Sequence, residues 1–217
     1  MQVSVEHVIK RFKDHTVLND INVSFESGFI HGIIGRNGSG KTVLFKCITD
    51  LMRPTSGIIR LDGKTPEQAI RSGLRIGAVI DSPEFLMEYS GYTNLSLLAA
   101  LRGIASKTDI MKAMQLVGLD PKMRKHVGKY SMGMRQRLGI AQAIMENPEL
   151  LILDEPMNGL DRTGVEEMRC LFRRLADEGR LMLLASHNRE DIEALCDDVY
   201  EIDAGVLTKV FDRRYDV

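Results

Sequence analysis

The run Gly35-Arg36-Asn37-Gly38-Ser39-Gly40-Lys41-Thr42 constrains the fold of this chain more than any other feature, because it fits G-x-x-x-x-G-K-[ST] at every defined position. A short apolar run precedes it at residues 29–34, and helix-compatible spacing follows over residues 41–50. Strand, glycine-rich loop and helix in that order let successive backbone N–H groups converge on phosphate oxygens, with the positive end of the helix behind them. On this reading Lys41 reaches the β- and γ-phosphates of a nucleotide and Thr42 ligates Mg²⁺.

The remaining pattern supplies the sheet that such a unit requires. Val3, Val5 and Val8 predict an edge strand, and residues 21–25 alternate apolar and polar as a half-buried strand does, so the chain is expected to open antiparallel. Arg53-Pro54-Thr55-Ser56-Gly57 is turn chemistry, residues 58–61 form a short strand, and Thr65-Pro66-Glu67-Gln68 has the spacing of a capping box with Pro at the first helical position. Residues 75–81 return to strand, and residues 92–147 read as helical up to Asn147-Pro148. Met132, Met134 and Met145 in this stretch are expected to fill core or interface. Strands are expected again at residues 150–153, 181–185 and 199–202, with helices near 163–176 and 190–195. Alternation of this kind predicts an α/β fold with a mainly parallel sheet.

Composition narrows the class further. A chain of 217 residues with 44% hydrophobic and 27% charged residues is an ordinary globular unit, which excludes disordered, collagenous and coiled-coil readings. The longest nearly apolar stretches, such as residues 95–101 and 150–153, fall far short of the roughly 20 residues that span a bilayer. No charged and then apolar leader follows Met1, so the start is expected to be mature and cytosolic. Cys47, Cys170 and Cys196 are odd in number and never in a CxxC arrangement, which predicts reduced thiols. The net charge of -1 conceals a basic stretch, in which Arg102, Lys107, Lys112, Lys122, Arg124, Lys125, Lys129, Arg135 and Arg137 meet only Asp109 and Asp120. A solvated helix face is the reading preferred over a surface for nucleic acid or anionic lipid.

A second chemical feature lies at residues 150–155, Leu-Leu-Ile-Leu-Asp-Glu, a hydrophobic strand that ends in two carboxylates. Its carboxyl end belongs beside the glycine-rich loop, so Asp154 is the expected metal-side acid and Glu155 the expected base or orienter of an attacking water.

Together these residues resemble the ATP-binding subunit of an ABC transporter, and the likeness runs through essentially the whole chain. Tyr130-Ser131-Met132-Gly133-Met134-Arg135-Gln136-Arg137 resembles the family signature, Asn158-Gly159-Leu160-Asp161 the D-loop, and Ser186-His187 the switch histidine. The resemblance implies a P-loop NTPase core, one domain over residues 1–217, with a helical subdomain inserted at about residues 88–147. It implies that ATP is bound by Gly35, Arg36, Asn37, Gly38, Ser39, Gly40, Lys41 and Thr42, with Phe12 stacked on adenine and Asp161 contributing from the D-loop. Ser131 and Gly133 would bind the γ-phosphate of ATP held by another subunit, while His187 contacts the γ-phosphate and helps hold Glu155 and the water.

Two positions depart from the family pattern: Met132 stands where a glycine is usual, and Asp81 where a glutamine is usual, in Ile80-Asp81-Ser82. A carboxylate there could join Thr42 and Asp154 in binding Mg²⁺ or could repel the γ-phosphate. The acid at this position and the Tyr-Ser-x-Gly-Met-x-Gln-Arg wording are similar to bacitracin and lantibiotic exporter subunits. The implied assembly is a head-to-tail dimer, with a second copy or a paralogue, seated on a separate transmembrane permease at the inner face of the cell membrane. Export of a peptide antibiotic or related substrate is the implied task, and no nucleic acid is expected. Two alternatives stay open: a soluble ABC-type ATPase acting on nucleic acid or ribosomes, and a nucleotide-gated regulatory module with little hydrolysis.

Overall fold

The computed structural model describes residues 1–81 and 84–213. The chain opens with β1 (Gln2–Phe12) and β2 (His15–Glu26), an antiparallel pair, then enters β3 (Ile30–Ile34), the glycine-rich loop and α1 (Lys41–Ile48). After β4 (Ser56–Leu61), the short helix α2 (Pro66–Arg71) starts at the expected capping box, with Thr65 and Gln68 satisfying each other's backbone N–H groups. Next come β5 (Ile76–Val79) and three helices, α3 (Gly91–Arg102), α4 (Lys107–Leu116) and α5 (Met132–Ile144). The chain then returns to the sheet through β6 (Leu150–Asp154), α6 (Arg162–Asp177), β7 (Leu181–Ala185), α7 (Arg189–Leu195), β8 (Asp198–Asp203) and β9 (Val206–Asp212).

Two sheets result. One has the order β2-β1-β4 and the other β5-β6-β7-β3-β8-β9, with β5 to β8 mutually parallel and β9 antiparallel to β8. The edge position expected for β1 is therefore corrected: β1 is the middle strand, with β2 on one side and β4 on the other. Val3 and Val5 keep period two, but the register shifts before Val8, where His7 adopts φ 52, so the pattern shows burial without showing how many neighbours the strand has. The strand β9 groups its apolar residues as Val206-Leu207 and Val210-Phe211 without strict alternation, and the sequence pattern assigns no element after residue 202. It is reached through Ala204 and Gly205, both at positive φ, the turn that matches the twist of a hairpin.

Parallel strands buried on both faces need apolar residues at successive positions. In β6 they divide cleanly: Leu151 and Leu153 join a cluster with Leu95, Ile110, Met114 and Leu138 of the helical segment. Leu150 and Ile152 face the other way, towards Leu44, Phe45 and Ile48 of α1 and Val3, Val5 and Phe25 of the smaller sheet. Helix α5 lies so close to β5 that a Cβ on Gly77 would stand 2.0 Å from the Ala143 carbonyl oxygen. The thiols of Cys47, Cys170 and Cys196 are free, and burial pushes Cys47 up to about 11.

At the end of β3 remote from the glycine-rich loop, His31 Nδ1 and Asp198 Oδ1 meet at 2.7 Å, both side chains almost fully buried. Burial alone would raise the Asp198 carboxyl, but the hydrogen bond and charge of His31, with Lys209 nearby, outweigh it and hold Asp198 below the ordinary carboxylate range. Stabilisation from a depressed carboxyl is present above the unfolded value of about 3.9 and is lost as pH falls through the folded one. The stability difference between the wild type and Asp198→Asn, measured by urea unfolding, is expected to narrow as pH is lowered from 6 towards 3. A difference independent of pH would contradict this assignment.

Candidate active site

The loop between β3 and α1 is shaped by glycine where nothing larger fits. Gly35 has φ 148, and a Cβ there would lie 2.4 Å from the Ile202 carbonyl oxygen of β8. Gly40 caps α1 at φ 116, and its Cβ would meet the Val17 carbonyl oxygen at 2.9 Å. Lys41 is buried despite its charge, and its Nζ donates to the carbonyl oxygens of Gly35 at 2.7 Å and Arg36 at 3.2 Å. The hydroxyl of Ser39 is buried without a partner, an unsatisfied group beside the α1 N-terminus. Arg36, Asn37 and Gly38 are exposed. A glycine cradle, a folded-back lysine and a free hydroxyl form a donor set suited to phosphate oxygens.

A cleft of about 520 Å³ opens here, lined among others by Asn37, Lys41, Thr42, Asp81, Asp154 and Glu155. Thr42 Oγ1 donates to Asp154 Oδ2 at 2.6 Å, joining the first turn of α1 to the carboxyl end of β6. Hydroxyl and carboxylate oxygens are hard ligands of the kind Mg²⁺ takes together with substrate phosphates. Glu155 has φ 51; its N–H donates to the Ala185 carbonyl of β7 at 2.9 Å. Its Oε2 lies 2.8 Å from His187 Nδ1. The two residues expected to act together are thus in direct contact.

The structure also shows neighbours that the sequence reading did not assign to the cleft. Val17 and Gln136 line it, and Gln136 Nε2 donates to the carbonyls of Glu155 at 3.3 Å and Pro156 at 3.1 Å. Asp81 sits at φ 60 with Oδ2 2.6 Å from Lys46 Nζ. Ser82, which follows it, lies outside the described residues.

Phe12, Ser131, Gly133 and Asp161 do not join this cleft's described lining. Phe12 ends β1 with its ring partly exposed and Lys10 Nζ 5.0 Å from the ring centroid. Ser131 caps α5, its Oγ accepting from the Met134 N–H at 3.2 Å. Gly133 approaches the D-loop closely, for a Cβ there would stand 2.7 Å from the Gly159 carbonyl oxygen. The Met132 side chain, 61% exposed rather than buried, lies across Gly159, whose own Cβ would be 2.3 Å from Met132 Cε. Asp161 caps α6, accepting from the Gly164 N–H at 2.9 Å. Within the basic stretch, Arg102 pairs with Glu146 and Arg137 with Glu167, so part of that charge is internally matched.

Residues 18–158 match the family model described as ABC transporter. The chain belongs to the ABC transporter family. Bacitracin transport ATP-binding protein BcrA of Enterococcus faecalis is 42% identical over 209 residues, covering 95% of this chain and 68% of that protein. Lantibiotic transport ATP-binding protein SrtF of Streptococcus pyogenes is 33% identical over 214 residues, covering 99% of this chain and 91% of the relative. The dimeric structure of MJ0796, a bacterial ABC transporter cassette, superposes with a TM-score of 0.85 at 20% identity, covering 96% of this chain and 99% of that one, which establishes the shared fold.

In this ABC transporter chain, Gly133 and Gly159 bring the signature stretch and the D-loop into backbone contact. Gly133→Ala gains at most about 1 kcal/mol of helix propensity, since it lies in the first turn of α5, but forces a backbone shift that costs about 1–3 kcal/mol. The variant is expected to melt no higher than the wild type, and a few degrees lower where the shift dominates. A clear rise in melting temperature would show that the contact yields freely.

Proposed function

We propose that this chain binds ATP with Mg²⁺ in the cleft and hydrolyses it to power a separate membrane subunit. The observation that carries this reading is the convergence of three arrangements on one cleft: the glycine loop with Lys41, the Thr42–Asp154 pair and the Glu155–His187 pair. Backbone N–H groups of the loop and the α1 N-terminus receive phosphate oxygens, and Lys41 exchanges its carbonyl bonds for the β- and γ-phosphates. Thr42 and Asp154 hold Mg²⁺, which neutralises charge on the phosphates. Glu155 accepts the proton of the attacking water, and His187 fixes the direction of that carboxylate. Phe12, exposed at the end of β1, is suited to stack on adenine.

Ser131 and Gly133 stand at the start of α5, apart from the cleft, where they suit the phosphate end of a nucleotide held by a second copy or a paralogue. Asp161 accompanies them through the D-loop contact with Gly159 while serving as the α6 cap. Each chain on this reading supplies the loop and base for one nucleotide and the cap for another. Closure then depends on ATP, because a ligand that bridges two faces favours the closed state by its differential affinity for it. The region over residues 88–147 is proposed as a helical subdomain within the single ATP-binding domain. Relatives named as transport ATP-binding proteins support the inner membrane face, through a permease, as the proposed place of action; among the described residues no helix is long and apolar enough to cross a membrane. Relatives named for bacitracin and lantibiotic transport support a peptide antibiotic or related substrate.

Glu155→Gln keeps the size of the side chain and removes its basicity. ATP turnover is expected to fall by about 10²-fold or more with ATP binding retained; equal, near-background rates in both proteins would exclude an active ATPase. Purified with the membrane subunit encoded beside it and placed in vesicles, the chain is expected to drive ATP-dependent flux. If its stable partner is soluble and the vesicles show no flux, the transport reading fails.

A further inference from the structure

Three carboxylates line the cleft, and each has a different partner. Asp154 accepts from the Thr42 hydroxyl, Glu155 contacts the His187 ring, and Asp81 meets the full positive charge of Lys46 at 2.6 Å. Thr42 and Lys46 are four residues apart on α1 and so share a face of that helix. That face reads two acids at the carboxyl ends of neighbouring strands: Asp154 ends β6, and Asp81 follows β5. The left-handed backbone at Asp81 is part of the arrangement that brings its carboxylate to the ammonium.

We propose that Lys46 is a positioning residue that neutralises Asp81 and thereby keeps the cleft receptive to a nucleoside triphosphate. This rests on the nucleotide reading of the cleft. The Asp81 side chain is 61% exposed and that of Lys46 31%, and a pair so open to solvent adds little to folding. Its weight falls on the other charges the cleft must receive. A triphosphate entering beside an unpaired carboxylate meets like charge, and because it carries several negative charges at once, even solvent-screened repulsion adds up. With Lys46 in place the pair is neutral, so an acid can stand at this position without repelling the ligand. A cation in the last turn of α1 would also suit the helix dipole, and that role alone predicts no dependence on Asp81.

The test is calorimetric titration of ATP and ADP into the full chain in EDTA, for the wild type, Lys46→Met, Lys46→Arg, Asp81→Asn and the double variant Lys46→Met/Asp81→Asn. Lys46→Met is expected to weaken ATP binding by about tenfold, and ADP binding by less because it carries less charge. Asp81→Asn should bind ATP at least as tightly as the wild type, the double variant should recover to within about threefold of it, and Lys46→Arg should match it. The Lys46→Met deficit should shrink at about 1 M salt, where the screening length is only about 3 Å. Equal losses in Lys46→Met and Asp81→Asn, or a double variant no better than Lys46→Met, would reduce the pair to a structural tie and overturn the proposal. Wild-type affinity in Lys46→Met would overturn it as well. If Lys46→Met fails to fold by circular dichroism, Asp81→Asn decides the sign: weaker ATP binding than the wild type overturns the proposal. A wild type that binds neither nucleotide, with or without Mg²⁺, would instead remove the nucleotide reading itself.

Discussion

The hydrogen bond from Thr42 Oγ1 to Asp154 Oδ2, 2.6 Å long, joins stretches of chain 112 residues apart. Its formation requires the start of α1 and the end of β6 to arrive at the same edge of the sheet, although β7 lies between β6 and β3. Five adjacent strands running parallel meet that requirement, because all of their carboxyl ends then share one edge. The sheet holds this geometry because it is buried on both faces, with alternate residues of β6 committed to opposite cores. At the far end of β3, the buried His31–Asp198 contact fixes the strand against β8, so the loop emerges from an anchored support.

The chemistry depends on the different treatment of three nearby acids. Asp154 faces a hydroxyl, Glu155 an imidazole and Asp81 an ammonium. Environments that differ in this way give identical functional groups separate tasks. For Asp81, the ion pair also changes the meaning of the departure from the family pattern, since the acid comes with a compensating cation. The signature stretch and the D-loop add a second surface, in which Gly133, Met132 and Gly159 pack against one another beside the cap of α6. On the proposed reading, a nucleotide contact on that surface comes from a different copy than the one whose loop holds the phosphates, so the proposed unit of function is larger than the chain.

Much of the fold and the centre of the site were legible in the sequence. The glycine-rich run, the apolar strands, the Thr65 capping box and the Asp154-Glu155 strand end are local patterns, and short-range sterics and hydrogen bonding set them. The helical stretch after β5 was recognisable from its spacing, and its separate helices begin at the capping serines Ser90, Ser106 and Ser131. The hairpin to β9 left a weaker trace, an Ala-Gly turn followed by a strand of mixed polarity. Ala204 at positive φ is not a residue type that announces such a turn, so only Gly205 marked the place.

What the sequence determined by itself is therefore most of the elements, β9 excepted, and the chemical identity of the phosphate-binding loop, because those follow from residues next to one another. Tertiary structure decided which elements are neighbours: β1 at the middle of its sheet, Met132 across Gly159 and Asp81 against Lys46. Most of these depend on distances between segments remote in the chain, and such distances are set by how the layers pack. Residue type alone could say that Asp81 carries a negative charge. Only the packing of α1 against the ends of β5 and β6 could say which positive charge it meets.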